Sequence, residues 1–343
     1  MKEEKSKENK LLEKEQQLYD AFVDASPQGC LFHKSWWLSA AAPEKYKVFT
    51  LKEGSEIVAA WPMVFQQVMG LRLSMQPQLT PTLGIMFGPK RKLKYAEQLS
   101  EEMQLTNELI ELMPKMSFFC QHFHHEFSNW LPLYWAGFQQ TTRYTYVIED
   151  LSNLDRVWEN IRYNTKRKIK KAVKLDIQVV TDLGLDRLLD LNELTFRRQG
   201  LPLPYSREYV KRIDRACQKQ GARKMFFAVD SGGQLHAAIY IVYDQKAAFY
   251  LFGGGDPNLR HSNGHALVLW EAIKFASTVS RSFDFEGSMH KNIEPVFRGF
   301  GAVQKPYMEI TKGSPFLNLA FRWAKKAWSG GGIPARFIRK FLL

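Results

Sequence analysis

The strongest constraint on this chain is that part of it occurs twice. The segment VFTLKEGSEIVAAWPMVF (48–65) aligns without a gap on FFAVDSGGQLHAAIYIVY (226–243) at an offset of 178. Phe49 falls on Phe227, Gly54 on Gly232, Ile57 on Leu235, Ala59-Ala60 on Ala237-Ala238 and Phe65 on Tyr243. Each copy reads as strand, glycine-containing turn, strand: a hairpin of antiparallel neighbours. SFFCQHFHH (117–125) matches SFDFEGSMH (282–290) at an offset of 165, and WAGFQQ (135–140) matches FRGFGA (297–302) at 162. Three matches in one order, at slowly drifting offsets, imply two homologous domains split near residue 150.

The second copy has the clearer element order. LDRVWENIRYNTKRKIKKAVK is helical, IQVVTDL is a strand, and two helices follow, one stopped by Gly200 and one running from Ser206 to Gly221. Strands MFFAVD, HAAIYIVYD and AAFYLFGGG precede helix ALVLWEAIKFAST, strand RSFDFEG, helix NIEPVFRGF and a last strand PYMEIT. This is an α/β layout around a mixed sheet. The expected organisation is a helical lead-in over 1–30, a first domain over 31–150, a second over 151–311 and a tail over 312–343. With 343 residues, 45% of them apolar, each domain has material for its own core.

The net charge of +13 is not spread evenly. RYNTKRKIKKAVK (162–174) holds seven Lys/Arg and no acid, and so does the tail 312–343. Without those two stretches the chain is close to neutral, so each patch needs its own partner. The three cysteines, Cys30, Cys120 and Cys217, are odd in number and far apart, which is the usage of a reducing compartment. The charged start MKEEKSKENKLLEKEQQ lacks a signal-peptide core, and no apolar run is long enough to span a bilayer. The expected location is cytoplasmic.

FDFEGSMHKNIEPVFRGF (283–300) concentrates the chemistry. Asp284 and Glu286 stand two apart in a strand-like run and share a face, with Phe283 and Phe285 on the other. Aligned on the first copy, Glu286 faces Gln121 and Arg298 faces Ala136, so the ionisable groups occur in one copy only. One carboxylate with a pKa raised by burial takes a proton from an attacking amine; a solvated strand end is the alternative. Glu286 is the better candidate because it sits at the glycine break. Cys120, His122 and His124 alternate along a strand and could chelate zinc, but no fourth ligand stands nearby, and no metal is expected.

The element order, with FHKSWWL (32–38), RYNTKRKIKKA, TFRRQG…SREY (195–209) and FEGS…IEPVFRGFGA (285–302), resembles the GNAT acyltransferase fold. More narrowly it is similar to the tandem-GNAT FemABX-like family of peptidoglycan aminoacyltransferases and their BioF2-like relatives, over roughly residues 30–311. The resemblance implies two GNAT-like domains, the first degenerate and the second catalytic. It also implies an acyl-CoA or aminoacyl-tRNA as co-substrate, no permanently bound cofactor, and an amine acceptor such as a peptidoglycan precursor. It places Phe297-Arg298 where the family has a Phe-Lys pair at the acyl-transfer site. Arg stays charged and forks towards an oxyanion or a phosphate, or it forms an ion pair with Glu286 or Glu294. Arg198 and Arg207 fall in the segment that contacts an acidic acceptor, with Tyr209 and Tyr250 to orient it and Lys34 holding part of it from the first domain. The pyrophosphate turn of acyl-CoA enzymes corresponds to GGGDPNLRHSNGHA, which offers His261-x-x-Gly264-x-Ala266, or Arg260 one residue early.

The two basic patches complete the expectations. Arg162, Lys166, Arg167 and Lys170 either hold phosphates of a tRNA or another anion, or form a solvated helix face. In the tail, Phe316, Leu319, Ala320, Trp323 and Ala327 share one helical face amid cations, with Trp328 beside it and Phe337 and Phe341 further on. That pattern fits an interfacial helix on the inner face of the cytoplasmic membrane, or a helix docked on the protein's own core. The functional expectation is an acyltransferase acting on an amine in envelope or secondary metabolism. Its rival is a non-catalytic membrane-surface assembly protein on the same scaffold.

Overall fold

The computed structural model describes residues 2–330 apart from 90, 91, 182, 288 and 290. Along the first half come α1 (Lys2–Ala25), α2 (Ser35–Ala41), β1 (Tyr46–Glu53), β2 (Glu56–Val68), β3 (Leu71–Met75), β4 (Met86–Phe87), α3 (Tyr95–Glu111), β5 (Phe118–His122), α4 (Leu131–Trp135) and β6 (Gln139–Ile148). Helices α5 (Leu154–Asn160) and α6 (Tyr163–Lys174) then lead to β7 (Gln178–Val180), α7 (Leu185–Arg198) and α8 (Arg207–Lys219). Strands β8 (Arg223–Val229), β9 (Leu235–Tyr243) and β10 (Ala247–Gly255) follow. Last come α9 (Gly264–Ala276), β11 (Ser282–Asp284), α10 (Glu294–Gly299), β12 (Val303–Gly313) and α11 (Pro315–Gly330). No helix among the described residues is long and apolar enough to cross a membrane.

Two compact units result: Met1–Arg143 with Tyr307–Ala324, and Tyr144–Pro306 with the end of α11 from Lys325. The boundary thus runs through β6 and β12 rather than falling after residue 150 and residue 311. In the first unit β1 and β2 form a hairpin, β3 lies antiparallel to β2, and β5 is parallel to β3. The later part of β12 closes that unit by pairing antiparallel with β5, Ile310 opposite Gln121. In the second unit β7 to β10 run antiparallel in turn, and β11 is parallel to β10. Here the end of β6 closes the sheet, Phe283 opposite Ile148. Each unit is therefore finished by the strand that terminates the other repeat.

The duplication is visible in detail. Pairing skips Val58 in the first hairpin and His236 in the second, and these two positions are 178 apart, the offset of the sequence match. The partner strands differ in register by one residue, because the turns differ in length. The third match needs adjustment: Gly137 and Gly301 are the equivalent helix-ending glycines, with φ of 81° and 80°, which sets the offset at 164 rather than 162.

Two separate cores fill the units. Trp61, Phe119, Phe123, Phe138 and Ile310 centre the first, and Ile239, Ile241, Val268, Ile273, Phe283 and Phe300 the second. The lead-in is part of the first unit's packing, since Tyr19, Phe22 and Val23 of α1 are buried against Leu38, Ala60 and Met86. The single helix expected over 154–174 is two. The chain is extended at Ile161 and Arg162, where the Arg162 N–H donates to Gly299 O at 3.0 Å. A tertiary bond overrides local helix preference at that point.

Candidate active site

The site lies in the second unit where two parallel strands part. β10 pairs with β11 only from Ala247 to Phe249, opposite Ser282 to Asp284, and then runs on to Gly255 without that neighbour. A bulge between Tyr250 and Phe252 re-aims the side chains just beyond the parting point. Helix α7 packs on the extension so closely that a Cβ on Gly254 would meet Leu191 O at 2.4 Å. Asn192 Nδ2 donates to Gly253 O at 2.7 Å, and the Tyr205 hydroxyl donates to Asn192 Oδ1 at 2.9 Å.

β11 ends at Asp284, and the chain then turns sharply. Glu286 has φ 57° and Gly287 φ 50°. Only glycine fits at 287, because an added Cβ would lie 2.0 Å from Tyr144 O. Asp284 is buried and holds the turn: it accepts from the Glu286 N–H at 2.7 Å and from the Thr145 hydroxyl. The two acids therefore do not share a strand face, since Glu286 lies outside the strand. Asp284 is occupied as an anchor, while Glu286 Oε1 is buried with no hydrogen-bond partner among the described residues. Ser288, the residue after the break, lies outside the described residues.

Burial, and then the charge of Asp284, push the Glu286 carboxyl well above the usual range. Tyr250 and Tyr205 stand within electrostatic reach of it, and burial raises both phenols. The Tyr250 ring meets Phe297 edge-on at 6.0 Å, and Phe297 stacks on Phe285 at 5.1 Å, which makes an aromatic wall. The Tyr250 hydroxyl is 3.4 Å from His265 Nε2, at the start of α9. Burial holds His265 down at about 4, so it is neutral at physiological pH.

Gln121, which the sequence aligns with Glu286, is fully buried and bonded at both ends of its amide: its Oε1 accepts from Trp61 Nε1 at 2.8 Å and its Nε2 donates to Pro62 O at 2.9 Å. One copy carries an amide bonded through both atoms, the other a carboxylate whose Oε1 has no partner among the described residues.

Other sequence-derived positions have other partners. Arg298 faces solvent and pairs with Glu294, Nε to Oε1 2.7 Å, while Glu294 also accepts from Tyr146 at 2.9 Å. The ion-pair alternative is the one realised, and the perturbing charge at Glu286 is Asp284. Arg207 clamps α8 to α7 through Glu193 and Asp190, with Asp186 at 3.7 Å. Arg198 is exposed at the end of α7, and Tyr209 is half-buried beside Arg212. Lys34 bridges to Asp24 at 2.6 Å and donates to Asp20 O, fastening α2 to α1. Of the three residues considered for zinc, His122 bonds to Glu309 at 2.9 Å and His124 stacks on His125.

At the entry to α9, Arg260 and His261 are exposed, Gly264 is buried and Ala266 half-buried. The Gly264 N–H is already engaged by Ser262 Oγ at 3.2 Å, and Ser262 in turn bonds to His236 at 2.9 Å. The basic helix α6 buries Ile169 and Ala172 and leaves Arg162, Arg167 and Lys170 exposed. Lys166 sits over the Trp158 ring at 5.8 Å and Arg167 over Tyr163 at 5.9 Å. Sequence reasoning missed Tyr205, Asn192 and His265, which reach the site from a loop and two helices.

Comparison with known proteins agrees with the geometry. Residues 159–289 match the family model described as an acetyltransferase (GNAT) domain. No curated protein matches. Among solved structures the chain is similar to FemX, with TM-score 0.68 and 14% identity over 89% of this chain and 98% of that one. It is also similar to the C-terminal domain of a putative lysylphosphatidylglycerol synthetase from Agrobacterium fabrum, with TM-score 0.54 and 9% identity over 92% and 97%. A tandem GNAT protein from the clavulanic acid biosynthesis pathway aligns with TM-score 0.50 and 12% identity over 87% and 93%. The parting strands, the repeated topology and the matched domain together make this chain an acyltransferase of the GNAT fold, two such folds in tandem.

Proposed function

We propose that the second unit transfers an acyl or aminoacyl group to a primary amine, and that Glu286 receives the amine and its proton. The observation that carries this reading is the buried Glu286 Oε1, unpaired among the described residues, at the parting of β10 and β11. An unpaired buried carboxylate is costly unless it is protonated or meets a cation, and an incoming ammonium supplies both partner and proton. In the transfer the nitrogen attacks the donor carbonyl and a C–N bond replaces the donor's C–S or C–O bond. The ammonium proton passes to Glu286, and the leaving thiol or ribose oxygen takes one up. A carboxyl with a raised pKa suits this role near neutral pH. Tyr250, Tyr205 and Phe297 wall the amine, and Asp284 sets the turn that aims Glu286.

The donor is an acyl-CoA or an aminoacyl-tRNA. The engaged Gly264 N–H and the exposed cations of α6 favour a donor gripped by phosphates along α6. The likeness to a lysylphosphatidylglycerol synthetase domain and to FemX supports an acceptor in the cell envelope, with peptidoglycan precursors as the first candidates, worked on from the cytoplasmic side of the membrane. The test is Glu286→Gln in the full chain, after calorimetry with acetyl-CoA, free CoA and aminoacyl-tRNA has identified the donor. Folding should persist and turnover should fall by roughly tenfold to a thousandfold. Unchanged turnover would end the assignment.

A further inference from the structure

Helix α11 presents two different apolar sides. Leu317 and Phe321, four apart, pack on Leu73, Met75, Phe118 and Cys120 of the first unit, the Phe321 ring 4.9 Å from Phe118. Phe316, Leu319 and Trp323, at spacings of three and four, share another side and are 77%, 54% and 63% exposed. The helix root is held by its own unit, and a second row of large apolar side chains is displayed outward on that fixed support.

The charge of this segment identifies what would cover that row. From 312 to 343 the sequence holds seven Lys/Arg and no Asp or Glu. A protein interface of ordinary composition supplies both signs, whereas an anionic lipid surface supplies one sign and an apolar layer beneath it. We propose that α11 is a pre-positioned docking element for an anionic bilayer, with Phe316, Leu319 and Trp323 entering the headgroup boundary while Leu317 and Phe321 keep the helix on the protein. Sequence periodicity offered core docking and lipid docking as alternatives; the core-docked side is Leu317 and Phe321, which leaves the exposed side of the same helix for lipid. This inference is independent of the acyl-transfer reading, because its test requires no turnover.

The full chain is sedimented with vesicles of phosphatidylglycerol and phosphatidylcholine, and with phosphatidylcholine alone. Binding to the anionic vesicles should be at least about tenfold tighter, and should weaken at about 0.5 M salt. The triple variant Phe316→Ser, Leu319→Ser, Trp323→Ser should lose at least about tenfold in partitioning with its Tm unchanged, since all three side chains are exposed. Phe321→Ala should lower Tm yet keep vesicle binding. Equal partitioning of the triple variant overturns the proposal, as does a wild type that ignores anionic vesicles. A wild type that self-associates through this face, with a monomeric triple variant and no vesicle binding, also overturns it and makes a second copy the occupant.

Discussion

At the scale of single residues, a duplicated fold supplies its own control. Gln121 and Glu286 align in sequence; the amide is bonded through both its oxygen and its nitrogen, while Glu286 Oε1 has no hydrogen-bond partner among the described residues. Glu286 therefore destabilises the empty enzyme whenever it is ionised. Its folded pKa lies above its unfolded value, so the stability tied to its protonated form is fully present below about pH 4 and is lost as pH rises through the folded pKa. Glu286→Gln should leave stability unchanged near pH 4 and raise it at pH 8, by about 1–3 kcal/mol, the scale of relieving an unsatisfied buried group. Chemical denaturation at the two pH values measures this. An equal effect at both would mean that the carboxylate is paired in solution. The glycine break and the copy comparison together made Glu286 legible in the sequence. Asp284 was placed on the same strand face as Glu286, because a one-dimensional strand pattern cannot show that the strand ends between them.

Among the elements, hairpins and long amphipathic helices were readable because their periodicity is local, and Ser206 caps α8 by accepting from the Tyr209 N–H as its sequence implied. The break between α5 and α6 was not readable, since it depends on a bond from Arg162 to Gly299. The glycine break after β11 carries a sharp expectation. Gly287→Ala combines a positive φ with a 2.0 Å approach to Tyr144 O, so it should destabilise the chain by about 2–4 kcal/mol and abolish turnover. A thermal melt and an assay test it, and a fully active, stable variant would show that the turn is not built as described. Helix α6 gives a different measurement. Arg167→Glu with Lys170→Glu changes two exposed side chains and should leave Tm intact. If α6 grips phosphates, affinity for aminoacyl-tRNA should fall and the slope of log K against log salt should shrink by roughly one for each phosphate no longer held. An unaltered slope would return α6 to the status of a solvated face.

At the scale of the whole molecule, the sequence repeats and the compact units do not coincide. The repeats run in tandem, but β6 ends the first repeat and closes the second unit's sheet, while β12 ends the second repeat and closes the first unit's. Nothing in a strand's own residues states which neighbour it will pair with, so this exchange could not be read from the chain. It has a mechanical consequence. The second unit is built on one long stretch, Tyr144–Pro306, with the end of α11 from Lys325 added to it, whereas the first needs Tyr307–Ala324 in addition to its N-terminal part. Ile310 is fully buried in the first core, and Glu309 is held by His122 at 2.9 Å and Arg143 at 3.1 Å. Losing Ile310 alone forfeits about 2–5 kcal/mol on the scale of buried large-to-small changes, and the edge of β5 is bared as well. A fragment of residues 144–306 should therefore melt cooperatively on its own. Residues 1–143 should not, and should bind a hydrophobic dye, until 307–324 is fused back through a short linker. Cooperative, dye-free unfolding of 1–143 alone would show that the last strand is an accessory to the first unit rather than part of its core.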